Sequence, residues 1–251
     1  MLLPPETLAP GTLGAAAFVL SGSYLVFGLT GFGSTVLALP LLVYLMPLKL
    51  AVPLLLMLDF AASFLIIGRV RRGVRMDELG RLLPFLLVGM VLGATLLVRL
   101  PEKPLLGVLG AFLVLYAGYG LTRRTGPPEL SRAWSAPFGL VSGAFSAMFG
   151  TGGVLLAVYI SARIHDKTQF RATSATAIFF NACVRLALFG ALGLLGDPKL
   201  WTGWLVLLPC ALLGIFLGSH LHARVPAAGV VRAVYLVLIV AGASLLLRVA
   251  G

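Results

Sequence analysis

The sequence predicts an all-α polytopic membrane protein built from two inverted repeats of about five helical segments each. Three observations carry that expectation. Sixty per cent of the 251 residues are hydrophobic and 11 per cent are charged, with a mean hydropathy of +1.06, far outside soluble composition. The chain also repeats itself. Gly31 to Pro40 reads GFGSTVLALP and Gly150 to Tyr159 reads GTGGVLLAVY, while Pro84, Gly89, Gly93 and Pro101 return as Pro209, Gly214, Gly218 and Pro226 with their spacings kept. Finally, the basic residues crowd into alternate short loops between long apolar runs, which excludes the short alternating strands of an outer-membrane barrel.

Ten apolar segments follow in order, at roughly 12–29, 33–46, 50–68, 82–98 and 104–121, then 136–149, 152–163, 171–193, 201–219 and 228–247. They give 8–10 membrane segments. The first precedes the first glycine motif, and 33–46 begins at it. Segment 50–68 carries Pro53 and Asp59, and 82–98 carries Pro84 with the Gly89/Gly93 pair. Segments 136–149 and 152–163 flank the second motif. Arg185 lies within 171–193, and 201–219 carries Pro209 with the Gly214/Gly218 pair. Segments 33–46, 136–149 and 152–163 are shorter than the ~20 residues of a full crossing, so half-helices that re-enter and two full crossings both remain open. The glycine pairs are G-x-x-x-G spacings expected to pack helices, and the prolines kink or start them.

Charge fixes the orientation. Arg69, Arg71, Arg72, Arg75, Arg81, Arg123, Arg124, Arg132, Arg163, Lys167, Arg171, Arg224 and Arg232 fall on one side if each half contributes five segments. The other side receives Lys49, Arg99, Lys103, Lys199 and Arg248. That bias marks the first side as cytoplasmic, with both termini outside. An odd number of segments per half inverts the second copy. The expected organisation is therefore a first membrane repeat at 1–121, a cytoplasmic linker at 122–135 and a second, inverted repeat at 136–251. No Lys or Arg precedes the first apolar run, so that run is expected to be a retained helix, not a signal peptide.

Several classes are excluded. The net charge of +11 resides in short loops facing lipid headgroups, which argues against nucleic acid. Cys183 and Cys210 lie inside apolar segments, without metal-ligand spacing, and no cofactor is expected. Ser142 precedes Gly143, but Leu140 stands where an intramembrane serine protease needs a glycine, and no H-E-x-x-H zinc motif occurs. The chain is therefore not expected to be an enzyme.

The glycine motifs are the first candidate site. Helices starting at Gly33-Ser34-Thr35 and at Gly152-Gly153, just after Gly31 and after Gly150-Thr151, would aim positive ends into a cavity, where anions bind without a cation. Thr30, Ser34, Thr35, Ser146 and Thr151 add hydroxyls nearby. The competing reading is glycine for tight helix packing. Arg185 is the second candidate. Ser174, Ala177, Asn181 and Arg185 share one helical face, and a guanidinium offers a planar fork of donors; the alternative is a structural ion pair. Asp59 and Arg185 each lie ~12–13 Å from the outer end of their segments, so Asp59 is read as counter-ion or proton carrier. His165-Asp166, His220 and His222 read as interfacial polar residues. Trp134, Trp201 and Trp204 fit an aromatic belt.

These residues resemble the sulfite exporter TauE/SafE family of bacterial membrane proteins over about residues 12–247. The twin motifs GFGSTVLALP and GTGGVLLAVY carry the resemblance, together with the P-x4-G-x3-G block in each half and the basic loop GRVRRGVR. Ser34 and Tyr159 stand where the family usually carries a further glycine and a proline. The resemblance implies transport of sulfite, sulfoacetate or related organosulfonates, usually outward, and it carries over the motif glycines position by position.

The expected function is thus a secondary transporter of small sulfur-containing anions working by alternating access in the bacterial cytoplasmic (inner) membrane. Its expected partners are the small anion, the lipid bilayer, a coupling proton or ion, and a second copy of the chain in a homodimer. The alternatives are an anion channel and a non-transporting assembly subunit.

Overall fold

The computed structural model describes residues 10–30, 33–67, 73–122, 130–221 and 227–250. Among them lie ten α-helices, a short 3-10 turn at Arg132–Trp134 and no strand. Gly31, Arg69, Arg71, Arg72, Arg123, Arg124, His222, Arg224 and Pro226 lie outside the described residues, as do the side chains of Thr30 and Lys167.

Each expected segment is a helix: α1 (Pro10–Thr30), α2 (Ser34–Leu42), α3 (Leu48–Ile67), α4 (Met76–Arg99), α5 (Glu102–Thr122), α6 (Ser135–Phe149), α7 (Gly152–Arg163), α8 (Lys167–Ala191), α9 (Pro198–Leu221) and α10 (Ala227–Ala250). The largest departure from the expected boundaries is at α4, which begins six residues before the apolar run. Its first turn holds Asp77 and Glu78, and acidic side chains there complement the positive end of the helix. Helix α8 likewise starts at Lys167, because Asp166 caps it by accepting from the Gln169 N–H at 2.7 Å. Asp followed three residues later by Gln is a capping-box spacing, so this boundary was readable in the sequence. Six of the described helices are long and apolar enough to cross a membrane. Helix α2, nine residues long, rises only ~14 Å against a ~30 Å hydrocarbon core.

The chain divides into two compact units that interleave along the sequence. One comprises Met1–Leu55, Leu100–Arg124 and Gly196–Gly251, and the other Leu56–Arg99 and Thr125–Leu195.

In the first unit α1 packs on α9 and α5 on α10. Small residues permit the first contact: a Cβ on Gly214 would stand 2.6 Å from the Ser21 carbonyl oxygen, and one on Gly218 would overlap that of Leu25. Gly110 and Gly242 give α5 and α10 a similar approach, each within 3 Å of the other's carbonyl oxygen were a Cβ present. Side chains tie the helix ends. Glu102 accepts from the Leu48 N–H at 3.1 Å, and Arg248 donates to the Val43 carbonyl at 3.1 Å while lying over the Tyr44 ring.

In the second unit α4 packs on α6. A Cβ on Gly89 would overlap the Leu140 carbonyl oxygen and one on Gly93 that of Ala144; from the other side, one on Gly143 would overlap that of Leu86. Leu82, Leu86, Met90, Ala94 and Leu97 form the buried stripe of α4. The two units thus make the same contact separately. The shift of 119 that relates the glycine motifs carries Ser21 and Leu25 onto Leu140 and Ala144, and the shift of 125 carries Gly89 and Gly93 onto Gly214 and Gly218.

Candidate anion-binding site at the α6–α7 break and the polar face of α8

Helix α6 ends at Phe149 because Gly150 adopts φ 74°, the left-handed region that glycine enters without strain. Its N–H returns to the Ser146 carbonyl at 2.8 Å, closing the helix with an orphan acceptor satisfied. Thr151 intervenes, and α7 starts at Gly152. There a Cβ would overlap the Ser142 carbonyl oxygen and Ser146 Oγ. Ser142 lies ten residues earlier, so α7 folds back along α6. With arms of 15 and 12 residues, the hairpin is ~22 Å and ~18 Å deep, short of a full crossing. At its turn the first N–H groups of α7 have no partner within the helix.

Helix α8 supplies the facing side chains. Phe60 stacks on Phe179 with ring centroids 6.2 Å apart, which sets the register of α3 against α8 and brings Asp59 alongside. Asn181, 6 % exposed, donates from Nδ2 to Ser146 Oγ at 2.8 Å. One turn farther, Arg185 is 4 % exposed and lies with its guanidinium carbon 5.6 Å from the Phe189 ring centroid. The charge of Asp59 acts on it. Even so, Nε and Nη2 of Arg185 find no hydrogen-bond partner among the described residues, nor do the buried hydroxyls of Ser142 and Thr151. Helices α6 and α8 each run antiparallel to α7 and hence parallel to one another. Four residues beyond the Ser146–Asn181 bond, both have risen ~6 Å, so Arg185 stands level with the break at Gly150. A buried cation with free donors, beside the positive end of a half-helix, is an environment that a small oxyanion would complete.

Not every glycine of this motif has the same reason. Gly150 needs its φ and Gly152 its missing side chain, whereas a Cβ on Gly153 would make ordinary contact with Ile178 at 3.7 Å.

The first motif lies in the other unit. Gly33 has φ 98° and directly precedes α2, whose first residues, Ser34 and Thr35, are buried and partnered. Gly33 aligns with Gly152, whose φ is not positive, so this left-handed position is not shared by the second copy. Beside α2 runs a groove of about 290 Å³ lined by Phe18, Gly22, Val26, Leu37, Leu41 and Val234. Its apolar walls suit hydrocarbon, not an anion.

One ionic cluster escaped the sequence reading. Glu78 in α4 is 3 % exposed. Its Oε1 accepts from Arg163 Nη2 at 3.0 Å with Arg132 Nε at 3.8 Å, and its Oε2 accepts from the Tyr159 hydroxyl at 3.2 Å. Arg163 also donates to the Leu130 carbonyl at 3.0 Å. The cluster anchors the far end of α7 to α4. Nearby, the Arg75 N–H donates to Thr173 Oγ1 at 3.0 Å, and the Asp77 carboxylate raises the pKa of the Arg75 guanidinium. The arginines themselves gave no hint that a carboxylate would be buried here; the acidic pair Asp77-Glu78 directly after a basic run was the available signal.

The family model for the sulfite exporter TauE/SafE matches residues 13–245 of this chain. The chain belongs to the TauE/SafE family. It is a multi-pass membrane transporter. It is similar to the "Probable inner membrane transporter protein TsaS" of Comamonas testosteroni, with 31 % identity over 195 residues that cover 76 % of this chain and 81 % of the relative. No solved structure matches. Tyr159, the last residue of the second glycine motif, uses its hydroxyl to hold Glu78.

Proposed function

We propose that this TauE/SafE member carries small sulfur-containing oxyanions, such as sulfite, sulfoacetate or other organosulfonates, across the bacterial inner membrane, outward and by alternating access. Arg185 carries the reading. A cation inside a membrane segment is costly unless it serves a ligand or a cavity, and this one is buried with two donors free. In the proposed site Arg185 and Asn181 bind the anion's oxygens, while Gly150, Thr151, Gly152 and Gly153 present the N-terminus of α7. Asp59 balances Arg185 when the anion leaves, or carries a coupling proton. In the first unit, Gly33, Ser34 and Thr35 open a second short helix, the other motif from which an anion could be approached.

The twice-made contact of a glycine pair with equivalent residues supports an inverted-repeat origin for the two membrane repeats 1–121 and 136–251. Paired inverted repeats with broken helices are a common build of secondary transporters. The printed name of the Comamonas relative supports the inner membrane as the location.

The test is exchange of labelled sulfoacetate and sulfite in proteoliposomes, with acetate as the control. Saturable exchange that prefers the sulfur anions is the expected result. No exchange of any anion by folded protein would remove the substrate assignment and return the reading to an assembly subunit. Unsaturable flux would favour a channel.

A further inference from the structure

Ser142 and Ser174 have no place in the binding site, yet both are polar groups shut inside the second unit without partners. Ser142 is fully buried and its Oγ has no hydrogen-bond partner, and the Oγ of Ser174 is likewise buried and unpartnered among the described residues. A helical serine ordinarily satisfies itself on the carbonyl three or four residues back; Thr176 does so on Ala172 at 2.9 Å, but these two serines do not. Their positions are ordered. Ser142 lies one turn from Ser146 on the same face of α6, and Ser174 lies two turns from Asn181 on the same face of α8. The Ser146–Asn181 bond makes those two faces meet. Between Ser174 and Asn181 the face carries the small, buried Ala177 and, beside it, Ile178.

Unpartnered polar atoms therefore continue the polar face from Arg185 past Asn181 to Ser174, ~16 Å along α8. They lead toward the end of the unit where Arg132 and Arg163 meet the buried carboxylate of Glu78 and Arg75, paired with Asp77, donates its N–H to Thr173. Apolar side chains would pack this interface at lower cost, because a buried hydroxyl without a partner is destabilising. An intermittently hydrated interface removes that cost.

We propose that the α6–α8 interface of the second unit is the route by which the anion moves between Arg185 and this basic end, with Ser142 and Ser174 as its hydroxyl donors. The proposal rests on Arg185 as the binding group. Its test reads the route separately. With Cys183 and Cys210 replaced by alanine, single cysteines are placed as Ser142→Cys, Ser174→Cys and, on the exposed face of α6, Val141→Cys. They are treated with a sulfonate-bearing methanethiosulfonate reagent, whose sulfenyl sulfur is attacked only by a thiolate in contact with water, forming a mixed disulfide and releasing methanesulfinate. Ser142→Cys and Ser174→Cys are expected to react at least about tenfold faster than Val141→Cys, and sulfoacetate is expected to slow them. Modification should also stop exchange. Ser174→Ala should lower the turnover of exchange while leaving the dissociation constant unchanged. If neither cysteine reacts faster than Val141→Cys in protein that still exchanges sulfoacetate, the route is wrong though Arg185 stands. If both react but Arg185→Gln exchanges as wild type does, the binding assignment falls and a hydrated route remains.

Discussion

Replacing Arg185 tests the largest share of this reading. The guanidinium offers two donors, Nε and Nη2, that no residue among those described accepts from. A hydrogen bond with a charged partner contributes about 1.5–3 kcal/mol, so two such bonds to one oxyanion contribute about 3–6 kcal/mol. Arg185→Gln should therefore weaken sulfoacetate binding by about 10²–10⁴-fold. Arg185→Lys keeps the charge but loses the planar fork; with one bond surviving, the expected loss is about 10–100-fold. The assay is equilibrium binding of labelled sulfoacetate to purified protein in lipid nanodiscs, with size exclusion and thermal unfolding to show that each variant is folded. Asp59 complicates the first variant, because its charge acts on Arg185 and would then face the anion alone. The double variant Arg185→Gln/Asp59→Asn separates the two effects. If it regains wild-type affinity, Arg185 only neutralises Asp59. If both single variants bind within about threefold of wild type, a difference too small for even one charged hydrogen bond, the site assignment is refuted.

Three further outcomes are expected. Gly152→Ala should abolish exchange or folding, because its methyl meets the Ser142 carbonyl and Ser146 Oγ, whereas Gly153→Ala should be tolerated; equal exchange by both variants would contradict the hairpin packing. Gly93→Ala and Gly218→Ala should each destabilise the protein by about 1–3 kcal/mol through overpacking, while Gly118→Ala, with open space around its Cβ, should be neutral or stabilising by up to about 1 kcal/mol from helix propensity; thermal unfolding in nanodiscs ranks them. Glu78→Leu leaves Arg163 without its carboxylate and should cost about 2 kcal/mol, whereas Tyr159→Phe, losing one neutral donor, should cost about 1 kcal/mol; chemical unfolding that places the two in reverse order would show that the ion pair is not what secures α7.

How far the sequence reached differs from element to element. Segment 152–163 was bounded to the residue, because a glycine motif stops it at one end and Arg163 at the other. The start of α4 was missed by six residues, since hydropathy responds to the apolar run and not to the polar first turn that contains Asp77 and Glu78. At the second motif the glycines were legible as a set but their reasons were not. Gly150 answers to a dihedral angle and Gly152 to the proximity of Ser142, and neither is a property of the ten-letter string. Arg185 and Asn181 were found from spacing on one helix face. That Asn181 is engaged with Ser146 while Arg185 keeps free donors required side-chain positions.

By itself the sequence determined the membrane as solvent, the helical class, the repeat and the family, because each depends on composition, period or motif along the chain. Tertiary structure decided which helices share a unit: α1 lies with α9 and α4 with α6, pairs far apart in sequence and joined by close backbone approach at glycines. It also decided that Glu78 is a buried anchor and that Ser142 and Ser174 are left unpartnered. The physical reason is common to all of these. Hydrophobicity and local hydrogen bonding are written in nearby residues, whereas the burial and pairing of a polar side chain depend on whichever residue another helix brings opposite it.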